Sequence, residues 1–344
     1  MVRHSPRVRV APAPIVLASL AVAALSLLLG TSVRADPEGW LRWGREIALG
    51  DGAFTTLDYP SWKPLPVLLT VPLAFSGALG PALWLVVTRA TGILALALVF
   101  DLGRRRAGVA AGVVAAGALA LIPTWWPTLA GGGIEPLLVS LGCLALDRLE
   151  RGRHGPAILL LCALALGREE ALPLVVVYGL FLARRDPRLA ALALLGAAGV
   201  LALWLSGDWL GSGDPLHGGA LARSAPDATA LRLSGAPLTG ALPTVASVLA
   251  APFWIAAVVG AVAALRRRDR ALVAAVAAAL GWIATDLAMA ADGFPLPTRF
   301  LFPAAAALTI AAGVGTAALL DALAGRPVTP VLVPGTGARE GPAP

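Results

Sequence analysis

The sequence predicts an all-α integral membrane protein with about ten transmembrane helices, from its composition, its apolar runs and the placement of its basic residues. Hydrophobic residues make up 58% of the chain and charged residues only 14%, and the mean hydropathy is +0.80. A soluble protein would carry about 25% charged residues. Apolar runs of about 20 residues recur along the whole length, which is typical of membrane-spanning helices.

The net charge of +7 is concentrated in short arginine clusters between the apolar runs, such as Arg104-Arg105-Arg106 and Arg266-Arg267-Arg268. Such clusters stay in the cytoplasm next to anionic lipid, so the charge indicates membrane topology and contact with membrane lipid. It does not indicate a nucleic-acid partner. Cys143 and Cys162 both lie in apolar runs, which gives neither a disulfide framework nor a metal-binding spacing.

The basic clusters also indicate the order in which the chain crosses the membrane. Residues 1–13 form a basic cytoplasmic N-terminus, and the transmembrane domain extends over residues 14–323. We expect a first outer loop at 34–77, a second outer loop at 206–244 and a disordered tail at 324–344. The predicted crossings are 14–33, 81–102, 107–125, 134–146, a hairpin within 156–183, 189–205, 245–265, 271–289 and 300–323.

The first outer loop contains two segments that we expect at the membrane surface. Charged residues at 38, 42 and 46 form one helical stripe, and Trp40, Trp43 and Ile47 form another. This pattern predicts an amphipathic interfacial helix with its indoles at the level of the lipid headgroups. The second segment, 65–75, is apolar but short and interrupted by prolines, which favours an interfacial or re-entrant helix.

The segment 156–183 carries three adjacent charges, Arg168-Glu169-Glu170, in the middle of an otherwise apolar run. A single helix would place these charges at the centre of the bilayer, where they are costly and usually functional. Basic residues flank the segment on both sides, so both of its ends should be cytoplasmic. We therefore expect a hairpin of two short helices whose charged turn faces a cavity. A purely structural ion pair within the turn is the alternative.

Asp36 follows the first apolar run, in Val33-Arg34-Ala35-Asp36-Pro37-Glu38. One interpretation is structural, with Asp36 as the N-cap of a helix and Pro37 at the first helical position. The other is functional, because a carboxylate at the outer membrane surface can act as a general base toward an acceptor hydroxyl. The two are compatible, since capping would hold the carboxylate in place.

Other ionisable residues on the predicted outer side also have two interpretations. Lys63, the only lysine, lies in a segment that begins at Asp58 and is either an interfacial anchor or a contact for a substrate phosphate. Glu135 follows three glycines and is either a favourable first-turn acid or part of a ligand cavity. Arg299 is either a snorkelling side chain or a partner for an anionic group such as a lipid phosphate.

Two further charges, Arg89 and Asp286, lie within predicted spans. Ionisable residues in a membrane usually pair with one another or face a cavity. We therefore expect Arg89 to pair with one of the acids of the 168–170 turn. His217, in the second outer loop, is a further candidate for the cavity. Nucleotide-binding glycine loops, haem motifs, zinc spacings and a Ser-His-Asp order are not found in the sequence.

The ordered set of motifs resembles the GT-C class of polytopic membrane glycosyltransferases. More narrowly, it is similar to bacterial enzymes that use polyprenyl-phosphate sugars, such as aminoarabinose, mannosyl and arabinosyl transferases. The resemblance covers roughly residues 14–323, but Glu38 is only near the place where the family often has a second acid. The matching segments are Asp36 after the first helix, Lys63-Pro64-Leu65-Pro66, Gly133-Ile134-Glu135, Arg168-Glu169-Glu170, Gly213-Asp214-Pro215-Leu216 and Arg299-Phe300-Leu301-Phe302-Pro303.

The resemblance implies transfer of a sugar from a polyprenyl-phosphate carrier to an acceptor glycan, lipid or protein, with inversion, on the extracytoplasmic face. It implies Asp36 as catalytic base and Lys63, Arg168 and Arg299 as donor-phosphate contacts. The cavity would be lined by Glu38, Asp58, Arg89, Glu135, Glu169, Glu170 and His217. No cofactor is required and no metal ligands are expected, although a divalent cation is compatible with this chemistry. The location implied is the bacterial inner (plasma) membrane, with the N-terminus cytoplasmic.

Three other functions stay open at the level of the sequence. The chain is also compatible with a transporter or flippase for a lipid-linked or polar solute, in which Arg89, Asp286 and the 168–170 turn would line the path. Transporters often have two related halves with broken helices, and only one such hairpin is predicted here. An inactive GT-C relative is another alternative. A membrane-bound acyltransferase would need a histidine within the bundle, whereas His4, His154 and His217 fall in loops or the N-terminal tail.

Overall fold

A computed structural model describes residues 12–58, 60–225 and 237–325, and these ranges contain helices and connecting turns but no strand. The predicted all-α class is confirmed. The predictions for residues 1–11, for the tail beyond residue 325, for Tyr59 and for the middle of the second outer loop lie outside the described ranges. The α-helices are α1 Pro12–Leu25, α2 Ala35–Leu49, α3 Pro64–Leu73, α4 Gly80–Ala107, α5 Val109–Ala120, α6 Trp125–Ala130, α7 Glu135–Glu150, α8 His154–Gly167, α9 Leu172–Leu182, α10 Pro187–Ser212, α11 His217–Ser224, α12 Pro237–Ser247, α13 Ala251–Arg267, α14 Arg270–Ala291 and α15 Phe302–Leu323.

Four helical segments in the described ranges are long and apolar enough to cross a membrane: Pro64–Ala107, Pro187–Ser212, Arg270–Ala291 and Thr298–Leu323. A fifth arises if Leu238–Ser247 and Ala251–Arg267, which meet at 86°, form one broken span. Shorter apolar helices occur at Ala13–Leu29, Val109–Ala120 and His154–Gly167. The chain is therefore a membrane protein, and the count of about ten crossings stays a prediction.

The segment 65–75 is helical, and its assignment as an interfacial or re-entrant helix stays a prediction. It forms α3, which runs through a short 3₁₀ turn into α4, so that residues 64–107 make one helical segment of 44 residues. The segment kinks at Gly77, which has a φ of 58° that favours glycine. Pro64 is accommodated at the start of the helix, where its missing N–H costs no hydrogen bond.

The indole side chains of α2 also lie elsewhere than predicted. Trp40 and Trp43 are 1% and 0% exposed, so they lie inside the protein and the prediction that they sit in the membrane interface is wrong. Trp40 packs edge-on against Trp84 of α4, and Trp43 packs against Phe54 and Trp62 of the following loop. The apolar stripe of α2 is thus buried against protein. An amphipathic helix can bury such a stripe against protein or against lipid, so the sequence pattern is the same in both cases.

Helices α4 and α7 run parallel and define the two ends of the bundle. Near their N-termini, Trp84 Nε1 donates to Gly132 O at 2.9 Å, and midway Ser140 Oγ donates to Thr91 O at 2.7 Å. Near their C-termini, Arg105 forms an ion pair with Asp147. We call the end at Trp84 and Glu135 the site end, and the end at Arg105 and Asp147 the basic end.

The predicted charged hairpin is present as α8 and α9, joined by a 3₁₀ turn at Glu169–Ala171. His154 Nδ1, at the start of α8, lies 2.6 Å from the hydroxyl of Tyr178 in the second half of α9, so the two helices run antiparallel. Trp204 of α10 donates to Ala165 O at 2.9 Å and supports the tip of the hairpin. The Arg168-Glu169-Glu170 turn is therefore held in a defined place rather than spread along one helix.

Small residues allow close packing of α13 against α15. A Cβ atom added at Gly260 would lie 1.9 Å from Ala311 O, and one added at Gly315 would lie 1.9 Å from Ala256 O. Membrane helices often approach through such small residues, because lipid gives no hydrophobic force between them. This packing fixes α15, whose N-terminal end carries Arg299 and Phe300 toward the site end.

Candidate functional site

A cavity of about 280 Å³ lies where the N-terminal ends of α2 and α7 approach the segment that precedes α15. Its lining residues come from four separate stretches of chain. They are Arg34, Ala35, Asp36, Pro37, Thr128, Gly133, Glu135 and Arg299. The cavity thus combines two carboxylates, two guanidinium groups and a hydroxyl in a space large enough for part of a sugar substrate.

Arg299 bridges the two carboxylates of the cavity. Its Nη2 donates to Asp36 Oδ2 at 3.0 Å, and its Nε lies 3.3 Å from Glu135 Oε1. The side chains of Asp36 and Arg299 are 19% and 26% exposed, whereas that of Glu135 is 6% exposed. The Asp36 carboxylate is therefore reachable from the cavity, while Glu135 forms part of its wall.

Asp36 is not the N-cap that the sequence predicted. Helix α2 begins at Ala35, and its N-cap is Arg34, whose own side chain makes no capping hydrogen bond. Asp36 lies in the first turn, where an acid is favoured by the helix dipole. Its carboxylate accepts a hydrogen bond from Arg299 across the cavity. Position, rather than capping, makes it a candidate base.

The glycine loop before α7 brings backbone and side chains close together. Arg34 N donates to Gly131 O at 3.0 Å, and the Arg34 side chain lies where a Cβ of Gly131 would be, within 2.9 Å. Gly132 has a φ of 79° and its carbonyl accepts the Trp84 indole N–H. The close approach predicted for these glycines is thus to the segment that carries Asp36.

The sequence predicted that Arg89 pairs with an acid of the 168–170 turn, and the structure shows different partners. Its guanidinium donates to Ser26 O, Gly30 O and Ala130 O, each at 2.9 Å, and to Ser26 Oγ at 3.0 Å. These carbonyls belong to the segment before α2 and to the loop before α7. Arg89 lies outside the cavity and joins the two stretches of backbone from which Asp36 and Glu135 extend.

A second cluster of charges lies next to the cavity and is buried. Arg168 forms a bidentate ion pair with Glu170, with Nε donating to Oε2 at 2.9 Å. The Arg168 Cζ atom lies 3.3 Å from the centre of the Phe300 ring, and that of Arg299 lies 5.5 Å from the same centre. Phe300 thus stands between the guanidinium of the cavity and that of the hairpin.

Lys63 and the remaining acids border this second cluster. The Lys63 Nζ lies 5.4 Å from the centre of the Trp204 ring and close enough to Glu170 for their charges to interact. Glu169 and the buried Asp286 lie within electrostatic reach of Arg168. None of these side chains is part of the wall of the 280 Å³ cavity in the described structure.

Three predicted cavity residues lie away from the described cavity. Glu38 is exposed on α2, and Asp58 is exposed in the loop that follows. His217 Nε2 lies 3.2 Å from Leu57 O, which attaches the second outer loop to the first. Trp62 supports the same contact, because its Nε1 donates to Leu203 O at 3.1 Å. The structure brings together Asp36, Glu135 and Arg299, and it places Arg168, Glu170 and Lys63 beside them.

Sequence reasoning missed Arg34, Thr128 and Gly133 as lining residues. Arg34 and Gly133 lie in the same motifs as Asp36 and Glu135, and the acids carry the stronger sequence signal. Thr128 gives no charge or motif signal, and it reaches the site because α6 is a short helix that folds back at the site end. Across the described ranges, no group of three or more His, Cys, Asp or Glu side chains is arranged to hold a metal ion.

Comparison by sequence gives no relative, since no family model matches the chain and no curated protein matches it. Comparison by structure gives two kinds of membrane transferase. ArnT from Cupriavidus metallidurans, bound to undecaprenyl phosphate, superposes with a TM-score of 0.59 at 19% identity, and its apo form with 0.55 at 21%. Each comparison covers 88% of this chain and 59% of ArnT.

An oligosaccharyltransferase from Archaeoglobus fulgidus, tethered to an acceptor peptide, has a TM-score of 0.51 at 17% identity, over 90% of this chain and 50% of that one. Both neighbours are GT-C glycosyltransferases. The expected GT-C fold is thereby confirmed. The chain spans between half and three-fifths of the length of these neighbours, and at such low identity the likeness concerns the fold.

Proposed function

We propose that this chain is a glycosyltransferase that transfers a sugar from a polyprenyl-phosphate donor to an acceptor hydroxyl, with Asp36 as the general base. The observation that carries the proposal is the constellation of Asp36, Glu135 and Arg299 around a cavity in a GT-C fold. A base for this reaction must lie within hydrogen-bond reach of the acceptor hydroxyl, and the Asp36 carboxylate is accessible from the cavity.

Arg299 has two tasks in this proposal. With the cavity occupied only by protein charges, it neutralises Asp36 and Glu135. When the phosphate of the donor enters, the guanidinium can redirect N–H groups from the carboxylates to it, because Arg carries five donors in a planar fork. Stabilising the leaving phosphate and loosening the Asp36 pair would occur together. This couples donor binding to the release of a carboxylate that can accept a proton.

Arg168 and Lys63 provide positive charge on the far side of Phe300. Arg168 is neutralised by Glu170, and stacking on Phe300 holds its guanidinium plane beside the arginine of the cavity. Lys63 shares this neighbourhood through Trp204 and Glu170. We assign them to the path of the lipid phosphate, and we assign Glu169 and Glu170 to holding these cations in place. The charged hairpin is therefore a support for the donor site.

The remaining parts of the proposal concern location and partners. ArnT was solved with undecaprenyl phosphate and the archaeal enzyme with an acceptor peptide, which supports a polyprenyl-phosphate donor and a separate acceptor here. We place the site on the extracytoplasmic face of a bacterial inner membrane, with the N-terminus in the cytoplasm, because the basic clusters lie at the other end. We also propose that no metal ion is required, so that EDTA leaves the rate unchanged.

The decisive experiment compares wild type with Asp36→Asn in lipid nanodiscs. Each is incubated with undecaprenyl-phosphate-linked glucose, mannose, galactose and arabinose together with a bacterial membrane extract that supplies acceptor hydroxyls, and donor consumption is followed by mass spectrometry. Removal of a general base lowers the rate by about 10²–10⁴-fold, so we expect the variant to be nearly inactive. Its melting temperature should stay close to that of wild type, because Asn is isosteric and Arg299 keeps Glu135 as a partner.

Asp51→Asn is a matched control, because Asp51 is an exposed acid that pairs with Arg45 away from the cavity. It should leave donor consumption unchanged. Full activity of Asp36→Asn would contradict the role of Asp36, and absence of donor consumption by wild type with every donor would contradict the transferase proposal. Transport of the lipid-linked sugars across the membrane without chemistry would favour the flippase alternative. Arg89, which that alternative placed in the path, is held by backbone carbonyls instead.

A further inference from the structure

Thr128 is a buried residue in the wall of the cavity whose hydroxyl lacks a partner. It lies on α6, is 1% exposed and lines the same cavity as Asp36 and Arg299. Its Oγ1 atom makes no hydrogen bond to any residue that the structure describes. Buried polar side chains nearly always have a hydrogen-bond partner, so this hydroxyl calls for an explanation.

The other buried threonines of the described ranges behave differently. Thr70 donates to Val67 O at 3.0 Å, Thr88 to Trp84 O at 3.1 Å and Thr309 to Ala306 O at 2.9 Å. Helical threonines commonly bond in this way to a carbonyl three or four residues earlier. In α6, Thr124 O receives the backbone N–H of Thr128, and the hydroxyl does not join it. The Thr124 hydroxyl also lacks a partner among the described residues, but of these two threonines Thr128 is the one that lines the cavity.

Gly133 brings the Thr128 side chain next to a carboxylate. A Cβ atom added at Gly133 would lie 2.4 Å from Thr128 Cγ2 and 2.7 Å from Glu135 Oε2. The missing side chain therefore leaves one wall of the cavity shared by Thr128 and Glu135. The other oxygen of Glu135 is paired with Arg299, so this wall adjoins the charged part of the site.

We propose that Thr128, together with Glu135 Oε2, forms a subsite that binds hydroxyl groups of a sugar. A threonine hydroxyl both donates and accepts, and a carboxylate accepts, so the pair is suited to neighbouring hydroxyls on a sugar ring. The hydroxyls belong either to the transferred sugar or to a sugar acceptor, and the experiment below separates these two sources. This inference rests on the proposed function and adds to it a residue that binds the sugar hydroxyls.

The test uses three substitutions in the full-length chain in nanodiscs. Thr128→Val removes the hydroxyl and keeps the shape, Thr128→Ser keeps the hydroxyl, and Thr309→Val removes a buried hydroxyl outside the lining of the cavity. The substrate is whichever undecaprenyl-phosphate-linked sugar wild type consumes among glucose, mannose, galactose and arabinose. We expect Thr128→Val to lower kcat/KM about tenfold, the loss of one hydrogen bond, which corresponds to about 1.4 kcal/mol.

Thr128→Ser should stay within about threefold of wild type, since its hydroxyl can form the same hydrogen bond. Thr309→Val should leave kcat/KM unchanged, although it lowers the melting temperature. A purely structural role of Thr128 would give the reverse pattern, with a lowered melting temperature and unchanged kcat/KM for Thr128→Val. That pattern would overturn the inference.

Binding measurements separate the two sources of hydroxyl. If the hydroxyl belongs to the donor, Thr128→Val binds the sugar-linked lipid about tenfold more weakly but binds undecaprenyl phosphate as wild type does. If it belongs to the acceptor, donor binding is unchanged and the KM for the acceptor rises. Equal binding and equal kinetics for Thr128→Val and wild type would contradict the subsite while leaving the transferase proposal intact. Failure of wild type to consume any of the donors would instead contradict the proposed function, and the subsite would fall with it.

Discussion

The two ends of the bundle both carry arginine–carboxylate pairs, and the cavity described above lies at one of them. At the site end, a single arginine, Arg299, bridges Asp36 and Glu135. At the basic end, Arg105 pairs with Asp101 at 3.0 Å, Asp147 at 2.9 Å and Glu150 at 3.2 Å. The same kinds of side chain therefore form an open arrangement at one end and a closed network at the other.

The network at the basic end ties three helices together. Arg106 of α4 pairs with Glu150 of α7 and, at 3.3 Å, with Asp269 at the start of α14. Burial alone would raise the pKa of Asp147, but the hydrogen bond from Arg151 and the charges of Arg105 and Arg151 hold that pKa below its usual range. Asp101, Asp147 and Glu150 each pair with more than one cation, so each stays neutralised when a single partner is removed.

The difference shows that charge pairs alone do not identify a functional site in this chain. Both ends follow the helix dipole, since Asp36 and Glu135 lie in first turns and Arg104, Arg105 and Arg106 lie in the last turn of α4. What distinguishes the site end is the access from a cavity and the hydroxyl of Thr128. A substrate with a phosphate and hydroxyls can complete the site end, whereas the basic end is complete without one.

Replacement of Arg299 by Gln should cause the largest loss of activity. It removes the cation that bridges both cavity acids, so donor phosphate binding and the charge balance of Asp36 fail together. We expect a loss of about 10²–10³-fold in kcat/KM, as for removal of a donor that stabilises developing charge. Donor consumption in nanodiscs measures it.

Arg299→Lys provides the matched control for this prediction. It keeps the charge but loses the planar fork that reaches two carboxylates, so it should restore only part of the activity. Activity of Arg299→Gln within threefold of wild type would show that the cation at the site end is as dispensable as those of the network.

Arg89→Met should have the next largest effect, although Arg89 contacts no residue of the cavity wall. Its four hydrogen bonds hold the segment before α2 and the loop before α7, from which Asp36 and Glu135 extend. A displacement of about 1 Å in catalytic groups can lower a rate about 100-fold, so we expect a loss of that size in kcat. The measurement is kcat per folded molecule, with the folded fraction taken from size-exclusion chromatography.

A positioning role for Arg89 predicts a specific pattern of kinetics. The affinity for bare undecaprenyl phosphate should change little, because Arg299 and the charges beside Phe300 remain. Arg89→Lys should recover part of kcat, since an ammonium group can still donate to one or two of the carbonyls. An equal fall of donor affinity and kcat in Arg89→Met would contradict positioning and indicate general loss of the fold.

Much of the fold and part of the site could be predicted from the sequence, because they depend on local patterns. Apolar runs and basic clusters identified the membrane class, and the charges at 168–170 identified the hairpin tip. Three of the proposed site residues, Asp36, Glu135 and Arg299, meet in space even though Arg299 is far along the chain from the others. Chemical type and predicted side of the membrane were sufficient to group them.

The remainder depends on tertiary contacts that no local pattern encodes. The stripe of Trp40 and Trp43 is as compatible with lipid as with protein, and only the packing of Trp84 and Trp62 decides between them. Arg89 looked like a partner for acids, because carbonyls freed at helix ends are invisible in a sequence. Thr128 has neither charge nor motif, so its place in the cavity follows only from the fold of α6.

Arg106→Gln, at the basic end, should lower the stability of the fold and leave activity nearly unchanged. The side chain of Arg106 is 6% exposed and joins Glu150 to Asp269, so its loss should lower stability by about 3 kcal/mol, the lower range for a broken buried pair, since Arg105 still neutralises Glu150. Activity per folded molecule should stay within about twofold, because the site end keeps all its contacts. Thermal unfolding in nanodiscs and donor consumption measure the two quantities. A large loss of specific activity with unchanged stability would mean that the two ends are coupled.

Glu38→Gln should have the smallest effect on activity. It tests whether Glu38 or Glu135 is the second acid at the site end. Glu38 is the nearest acid to Asp36 in sequence, but it is exposed on α2 and is not part of the cavity wall, whereas Glu135 contacts Arg299. We therefore expect kcat/KM to change by less than about twofold, as for a surface substitution with no partner in the site. Glu135→Gln, measured beside it, should lower kcat/KM by at least about tenfold, because it removes a charged hydrogen-bond partner of Arg299. A loss with Glu38→Gln as large as that with Glu135→Gln would mean that the second acid of this site is adjacent in sequence. We do not expect equal losses from the two variants, because the second acid of the site is Glu135 of α7, which the glycine loop before that helix brings to Arg299.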